Sequence, residues 1–175
     1  MPSDRELWER IVKADAASFD AFYRANAPGL QGFLRQIVGT PQAAEDVAQE
    51  TFIQIWNRPN GFQPDRGALR TYLYGIGRKR AAEWWRKQSP TQQGKESAAS
   101  SSHSETASVV GDAFQRLPEE QRNLLWLREV EGQSYAELAA ILEIPVGTVR
   151  SRLFAAREAL RTIWRSPHKT LKEDV

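Results

Sequence analysis

The sequence predicts an all-α protein of two small helical domains joined by a flexible linker, with a helix-turn-helix as the second domain. Two observations carry this prediction. Apolar residues recur at helical spacing in each periodic segment, and no segment shows a convincing strand pattern. A stretch rich in Ser, Gln and Ala, with almost no large apolar residue, divides the chain. We place the N-terminal domain at 1–88, the linker at 89–111, the C-terminal domain at 112–165 and a tail at 166–175.

Composition narrows the classes of function. The 175 residues carry a formal net charge of only +2, so binding to nucleic acid would depend on local basic patches. The absence of cysteine excludes disulfides, thiolate metal sites and cysteine catalysis. His103 and His168 stand in polar segments without a second ligand, and we expect no metal and no cofactor. No apolar run approaches the ~20 residues of a membrane helix, and the N-terminus lacks a signal-peptide pattern. We therefore expect a cytoplasmic protein.

Three helices are predicted before residue 58. The first covers residues 4–14, with Leu7, Trp8, Ile11 and Val12 on one stripe. The second follows Ser18 and ends at Gly39, and Pro28-Gly29 is expected to bend or split it.

The third helix covers residues 40–58, with Thr40 as a cap and Pro41 at the first helical position. Its predicted buried stripe is Val47, Phe52, Ile55 and Trp56. Asp46, Gln49 and Glu50 form an acidic polar patch, which the sequence alone would assign to a solvated helix face.

A basic segment follows a loop rich in Pro, Gly and Asn at residues 57–67. Residues 68–88 read as a helix, although Gly75 and Gly77 weaken it by about 1 kcal/mol each. Seven cations and one acid lie between positions 66 and 87, interleaved with Tyr72, Tyr74, Trp84 and Trp85. Cations suit phosphates and aromatic faces suit unstacked bases, so this segment predicts a single-strand surface. Some of these aromatic residues, Tyr72 and one tryptophan among them, are expected in the core.

The C-terminal domain begins with a helix led by Pro118 and two acids, and Gly132 ends that helix. Its apolar members are Leu124, Leu125, Leu127 and Val130. Two further helices follow within residues 134–157. Ser134 and Glu137 form a capping box, and Ile144-Pro145 interrupts the apolar period before it resumes. Helix, short break and helix is the helix-turn-helix layout.

The last of these helices carries the features of a recognition helix. With Val149, Leu153, Ala156 and Leu160 facing the core, the outward or flanking residues are Arg150, Ser151, Phe154 and Arg157. Residues 145–165 hold five arginines and one acid, whereas 119–143 hold six acids and two arginines. An ordinary helical hairpin with a solvated basic face is the alternative. The interruption at Pro145, the helical spacing of the apolar residues and the segregation of charge agree with one another, and together they favour DNA binding.

From about residue 18 to residue 162 the chain resembles a bacterial RNA polymerase sigma factor of the extracytoplasmic-function (ECF) type. Three segments carry the resemblance: AEDVAQETFIQIW, FQPDRGALRTYLYGIGRKRAAEWWR, and LPEEQRNLLWLREVEGQSYAELAAILEIPVGTVRSRLFAARE. In that family the first docks on the clamp helices of the polymerase β′ subunit. The second melts the promoter −10 element and holds its non-template strand, and the third reads the −35 element. The resemblance therefore implies core RNA polymerase (β′ and β) and promoter DNA, duplex and single-stranded, as partners, and often an anti-sigma factor.

Carried over by position, the resemblance assigns residues to three sites. The polymerase-binding residues are Asp46, Gln49, Glu50, Phe52 and Trp56. The −10 residues lie in a base-capturing loop, 63–68, and on the basic helix after it: Gln63, Asp65, Arg66, Arg78, Lys79 and Arg80. The −35 residues are Arg150, Ser151 and Phe154, with Arg157 nearer the DNA backbone.

The sequence departs from the family pattern at three places. Ile76 is followed by Gly77-Arg78-Lys79 where the family often has Ala-Arg-Asn, Glu143 stands where the tight turn often has glycine, and Ala155 replaces a commonly basic residue.

Two other classes of function fit the sequence less well. An autonomous helix-turn-helix regulator would leave residues 40–88 without a role, and the chain shows no heptad seam on which to dimerise. An enzyme fused to a DNA-binding domain is rejected, because the sequence has no cysteine, no Gly-rich phosphate loop and no histidine outside the two polar segments.

Overall fold

The computed structural model of the chain describes residues 2–88 and 109–166, and all regular structure in these two segments is helical. The predicted all-α class is therefore confirmed. The first segment contains α1 (Asp4–Val12), α2 (Ala16–Val38), α3 (Pro41–Asn57) and α4 (Leu69–Gln88). The second contains α5 (Val109–Gln115), α6 (Glu119–Leu125), α7 (Tyr135–Leu142) and α8 (Val146–Arg165). No described helix is long and apolar enough to cross a membrane.

The predicted linker and tail fall largely outside the described residues. Residues 89–108 and 167–175 are not described, and both histidines lie among them. Helix α5 begins at Val109, ahead of the boundary expected at Asp112, so the last part of the predicted linker is helical.

The N-terminal unit is built by α2, α3 and α4, with α1 packed beside α2. Leu30, Phe33, Leu34, Ile55 and Leu73 are fully buried in its core. The predicted α3 stripe is confirmed for Val47, Phe52 and Ile55, whereas Trp56 is only partly buried. On α1, Trp8 and Ile11 are buried, but Val12 is 43% exposed because the helix ends there.

Local capping chemistry fixes where these helices begin. Thr40 caps α3 as predicted, because its hydroxyl accepts the Ala43 N–H at 3.2 Å. The start predicted for α2 was wrong: Asp15, not Ser18, is the cap, and its carboxylate accepts the N–H groups of Ala17 and Ser18.

Proline does not split α2, which runs through Pro28. Its neighbours Ala27 and Leu30 are buried, so packing holds the helix despite the missing N–H.

The C-terminal unit has the predicted helix-turn-helix. Helix α6 continues through a π-helical turn at Trp126–Val130, and the chain then turns at Gly132, where φ is +67°. Val130, expected in the core, is 59% exposed because this turn points it away. The capping box of Ser134 and Glu137 is present at the start of α7. The core of the unit consists of Leu124, Leu127, Leu138, Ile141, Val149 and Leu153.

The two units pack against each other, α2 against α6 and α4 against α7. Arg122 of α6 donates from Nη2 to the Gln36 carbonyl of α2 at 3.3 Å. The Trp126 ring approaches Gly32 so closely that a Cβ there would lie 3.1 Å from it. This packing places the helix-turn-helix directly beside the basic helix α4.

Candidate nucleic-acid interface

A cleft of about 300 Å³ opens beside the loop between α3 and α4. The loop contains two 3₁₀ turns, Pro59–Gly61 and Pro64–Arg66. Residues of the loop that line the cleft include Phe62, Gln63, Arg66, Gly67 and Ala68, and those of α4 include Thr71, Tyr72, Ile76 and Lys79. Four of these residues are in the predicted base-capturing loop, and Lys79 is a predicted −10 cation. The fold thus brings loop and basic helix to one concave surface.

Aromatic packing under the loop sets its shape. Phe62 is buried, and its ring centroid lies 5.5 Å from that of Tyr72 and 5.1 Å from that of Trp8. Gly61 has no room for a side chain, because a Cβ there would lie 2.1 Å from the Tyr72 hydroxyl oxygen. Glycine at this position lets the loop backbone pass over the tyrosine and reach the cleft.

The cations predicted to meet the −10 strand have different surroundings. Arg66 is exposed, and Arg78 is half-buried. Lys79 Nζ lies 2.6 Å from Glu143 Oε1 of the helix-turn-helix, and this hydrogen bond lowers the pKa of the Glu143 carboxyl. Arg80 donates from Nε to Gln54 at 2.8 Å and pairs with Glu50 at 3.3 Å, both on α3. Arg80 and Glu50 were assigned to separate sites, and the fold joins them.

Burial separates the aromatic residues of α4. Tyr74 is fully buried and has no ring face open to a base. Tyr72, the tyrosine expected in the core, is only half-buried, so that expectation was wrong. The Tyr74 hydroxyl donates to Glu131 Oε2 at 2.6 Å, and burial together with this carboxylate raises the pKa of Tyr74. Trp85 donates from Nε1 to the Ile37 carbonyl at 3.0 Å, which makes it a packed residue. Tyr72 and Trp84 are half-buried and keep part of their rings accessible.

The face of α3 predicted to bind the polymerase is only partly on the surface. Asp46, Gln49 and Glu50 are exposed. Phe52, assigned to the same interface, is 2% exposed and packs on Phe19, Phe22 and Tyr23, so its role is to support that face from below. Trp56 packs on Phe19 with ring centroids 4.8 Å apart.

Sequence reasoning missed an apolar residue on this face. Ile53 is 57% exposed and follows Gln49 by one helical turn. Its position four residues after Gln49 was the available signal.

The predicted recognition helix presents its residues as expected from its period. Arg150, Ser151 and Phe154 are exposed, Phe154 to 68%. No side chain caps the start of α8 at Pro145, so its first backbone N–H groups are open to a phosphate.

Arg157 and Ser151 have partners within the protein. Arg157 donates from Nη2 to Glu129 Oε1 at 2.7 Å, and this hydrogen bond raises the pKa of Arg157. Ser151 donates to the Thr148 carbonyl at 3.1 Å. Each of these two side chains is therefore oriented by a contact within the protein.

An ion pair between the two units has no signal in the local sequence. Arg70 of α4 donates from Nη1 to the Glu131 carbonyl at 2.9 Å, and from Nη2 to its carboxylate at 2.5 Å. The Glu131 side chain is only 8% exposed.

Three residues of the helix-turn-helix, Ala140, Ile141 and Glu143, complete the lining of the cleft from the opposite side. The helix-turn-helix therefore partly covers the predicted −10 surface.

Comparison with known proteins connects this geometry to one family. The family model for Sigma-70 region 2 matches residues 22–91, and that for Sigma-70, region 4 matches residues 102–160. The chain is 32% identical to the RNA polymerase sigma-H factor of Pseudomonas aeruginosa, over 90% of this chain and 91% of that protein. It is 30% identical to the ECF RNA polymerase sigma factor RpoE of Cereibacter sphaeroides, over 91% and 96%.

Two solved structures share the fold. CnrH in complex with the cytosolic domain of CnrY superimposes with a TM-score of 0.72 at 22% identity, covering 95% of this chain and 99% of that one. The sigma factor RpoE of Bartonella quintana, in complex with the anti-sigma factor NepR, gives a TM-score of 0.67 at 23% identity, covering 85% and 98%.

Proposed function

The chain belongs to the RNA polymerase sigma factors of the ECF type, and we propose here which of its surfaces perform each part of promoter-specific initiation. A sigma factor binds core RNA polymerase and directs it to promoter DNA. We assign the chain no catalytic activity of its own, and we place it in the cytoplasm with the polymerase.

The polymerase contact is assigned to the exposed side of α3, formed by Asp46, Gln49, Glu50 and Ile53. This side combines carboxylates, an amide and an exposed isoleucine on one helical face. Apolar residues within a charged surface are typical of protein interfaces. Phe52 supports this face from the core, and the partly buried Trp56 packs against that core.

The −10 element is assigned to the cleft at the loop, with Gln63, Asp65 and Arg66 on the loop and Arg78, Lys79 and Arg80 on α4. A flipped base needs a pocket, and its phosphates need cations. Flipping costs a few kcal/mol of stacking, which contacts in a pocket must offset. The cleft of about 300 Å³ next to Lys79 supports this assignment.

The −35 element is assigned to the start of α8, through Arg150, Ser151 and Phe154, with Arg157 toward the DNA backbone. The exposure of Arg150 and Phe154 on the first turns of this helix carries the proposal. Those turns of a recognition helix lie deepest in the major groove.

Since a solved structure of the same fold is a complex with an anti-sigma factor, we also propose that such a partner can bind this chain.

The polymerase contact is tested by binding of the full chain to purified core RNA polymerase. The variant is Asp46→Ala/Gln49→Ala, which leaves Glu50 in its contact with Arg80. We expect its affinity to fall at least tenfold, about 1.4 kcal/mol. Glu9→Ala on α1 is the matched control, because it also removes one exposed carboxylate.

Equal binding by the variant and the control would contradict the assignment of the α3 face. Failure of the wild-type chain to bind the core, while it still binds duplex DNA, would favour the autonomous regulator instead.

A further inference from the structure

Helix α1 lies before the segment that the region 2 family model matches, and the functions assigned above give it no role. We propose that Asp4, Arg5 and Trp8 of α1 are positioning residues that hold the −10 loop in its base-capturing shape. This inference rests on the proposed −10 function of the loop.

Asp4 holds the end of the loop. Its Oδ2 accepts the backbone N–H of Leu69, the first residue of α4, at 2.8 Å across 65 residues of sequence. The first N–H groups of a helix have no acceptor within that helix. A carboxylate at this end also interacts favourably with the positive end of the helix dipole. Asp4 thus fixes the point at which the loop becomes α4, immediately after Ala68 of the cleft.

Arg5 holds the middle of the loop. Its guanidinium pairs with the carboxylate of Asp65, in the second 3₁₀ turn. The two side chains are 57% and 82% exposed, so the pair adds little to the stability of the fold. Its effect is on orientation, because it restrains a loop whose next residue, Arg66, lines the cleft.

Trp8 supports the loop from below. It is 5% exposed, and its ring meets Phe62 edge to face with centroids 5.1 Å apart, and Tyr72 at 6.4 Å. Both contacted rings line the cleft. Three residues in the first two turns of one short helix therefore reach the end, the middle and the floor of the same loop.

A packing helix and a positioning helix make different predictions. If α1 only adds stability, its loss weakens binding equally on every promoter sequence. If it positions the loop, the loss of Asp4 and Arg5 reduces the preference for particular bases at −10, while −35 preference and core binding remain. Both side chains are at the surface, so their removal leaves the core intact.

The test uses holoenzyme reconstituted from core polymerase and the full chain, bound to duplexes with randomised −10 and −35 segments and read by sequencing. For Asp4→Ala/Arg5→Ala we expect base preference in the −10 segment to fall at least tenfold at one position, with the −35 profile unchanged. Asp4→Asn keeps an acceptor for Leu69 and should remain within twofold of wild type. Glu9→Ala/Arg10→Ala is the control, since it removes one acid and one base from the same helix.

Two results overturn the positioning role. One is a −10 profile of Asp4→Ala/Arg5→Ala equal to that of the control. The other is a uniform loss of binding across all sequences. A wild-type holoenzyme that has −35 preference but none at −10 would overturn the proposed function of the loop, and the inference with it.

Discussion

At the scale of a residue, the tight turn of the helix-turn-helix carries a conformational cost. Glu143 ends α7 with φ +56° and ψ +41°, in the left-handed region that glycine tolerates best. Its ion pair with Lys79 offsets little of this conformational cost, because both side chains are more than half exposed. The turn that the sequence marked as a departure from the family pattern is therefore a strained position.

Glu143→Gly is expected to stabilise the C-terminal unit. Relief of the left-handed strain should raise the free energy of unfolding by about 1–2 kcal/mol. The greater conformational freedom of glycine in the unfolded chain offsets part of this gain. A net gain of about 0.5–1 kcal/mol should raise the melting temperature by several degrees in thermal unfolding. Glu143→Ala, which loses the ion pair but keeps the strain, should show no gain. Equal melting of the two variants would mean that the turn is not strained.

At the scale of an element, α4 contains two glycines that the sequence cannot tell apart. A Cβ on Gly75 would meet nothing within 4 Å. A Cβ on Gly77 would lie 2.9 Å from Leu30 Cδ1 and 3.5 Å from Leu34 Cδ2, on two side chains that are fully buried. One glycine is open to substitution, and the other allows α2 to approach α4.

Alanine at these two positions should have opposite effects in urea unfolding. Gly75→Ala gains helix propensity, and we expect about 1 kcal/mol of added stability. Gly77→Ala makes the same gain but overpacks the core, which costs about 1–3 kcal/mol, so it should be neutral or less stable. The two variants are each other's control. A matching gain at both positions would show that α2 does not limit position 77.

The elements themselves could largely be predicted from the sequence, because caps and apolar periods are local. Thr40 and the pair Ser134 and Glu137 cap the helices as predicted. Tertiary contacts could not be predicted. Tyr72 and Tyr74 are both tyrosines in one basic helix, and Tyr74 is the buried one because it packs on Phe33 of α2 and bonds to Glu131, 57 residues away.

The acidic run from 119 to 143 shows the same limit. In the sequence, this run stands out as an acidic contrast to the basic recognition helix. The fold uses Glu120 and Glu129 to pair with α8, and Glu131 and Glu143 to pair with α4. Charge segregation in the sequence therefore indicated two sets of internal ion pairs as well as a DNA-binding surface.

At the scale of the whole molecule, the contact between the two units partly covers the proposed −10 surface. Glu143 forms an ion pair with Lys79, and α7 lines one side of the cleft. Trp126 Nε1 and Arg122 Nε are buried without a hydrogen-bond partner in the described part of the chain, and both residues lie at this contact. Since the proposed −10 function puts a DNA strand in the same cleft, we expect the units to separate when the −10 element binds.

Glu131→Ala should shift the isolated chain toward the separated arrangement. It removes the carboxylate that pairs with Arg70 and accepts the Tyr74 hydroxyl, and it keeps the backbone carbonyl that also accepts from Arg70. Arg70 remains 41% exposed, so the expected loss is about 1–2 kcal/mol rather than that of a fully buried pair, a shift of roughly tenfold. The chain has no cysteine, so dyes on Arg24→Cys and Arg161→Cys can report the distance between the units by energy transfer.

Glu120→Ala is the control for this measurement, because it removes an equal charge from an ion pair that lies within the C-terminal unit. Energy transfer should fall for Glu131→Ala and stay at the wild-type value for Glu120→Ala. High salt should act in the same direction as Glu131→Ala, since it screens the Lys79–Glu143 pair. If transfer is unchanged in Glu131→Ala at every salt concentration, the Glu131 contacts do not hold the units together, and access to the −10 cleft must be controlled elsewhere.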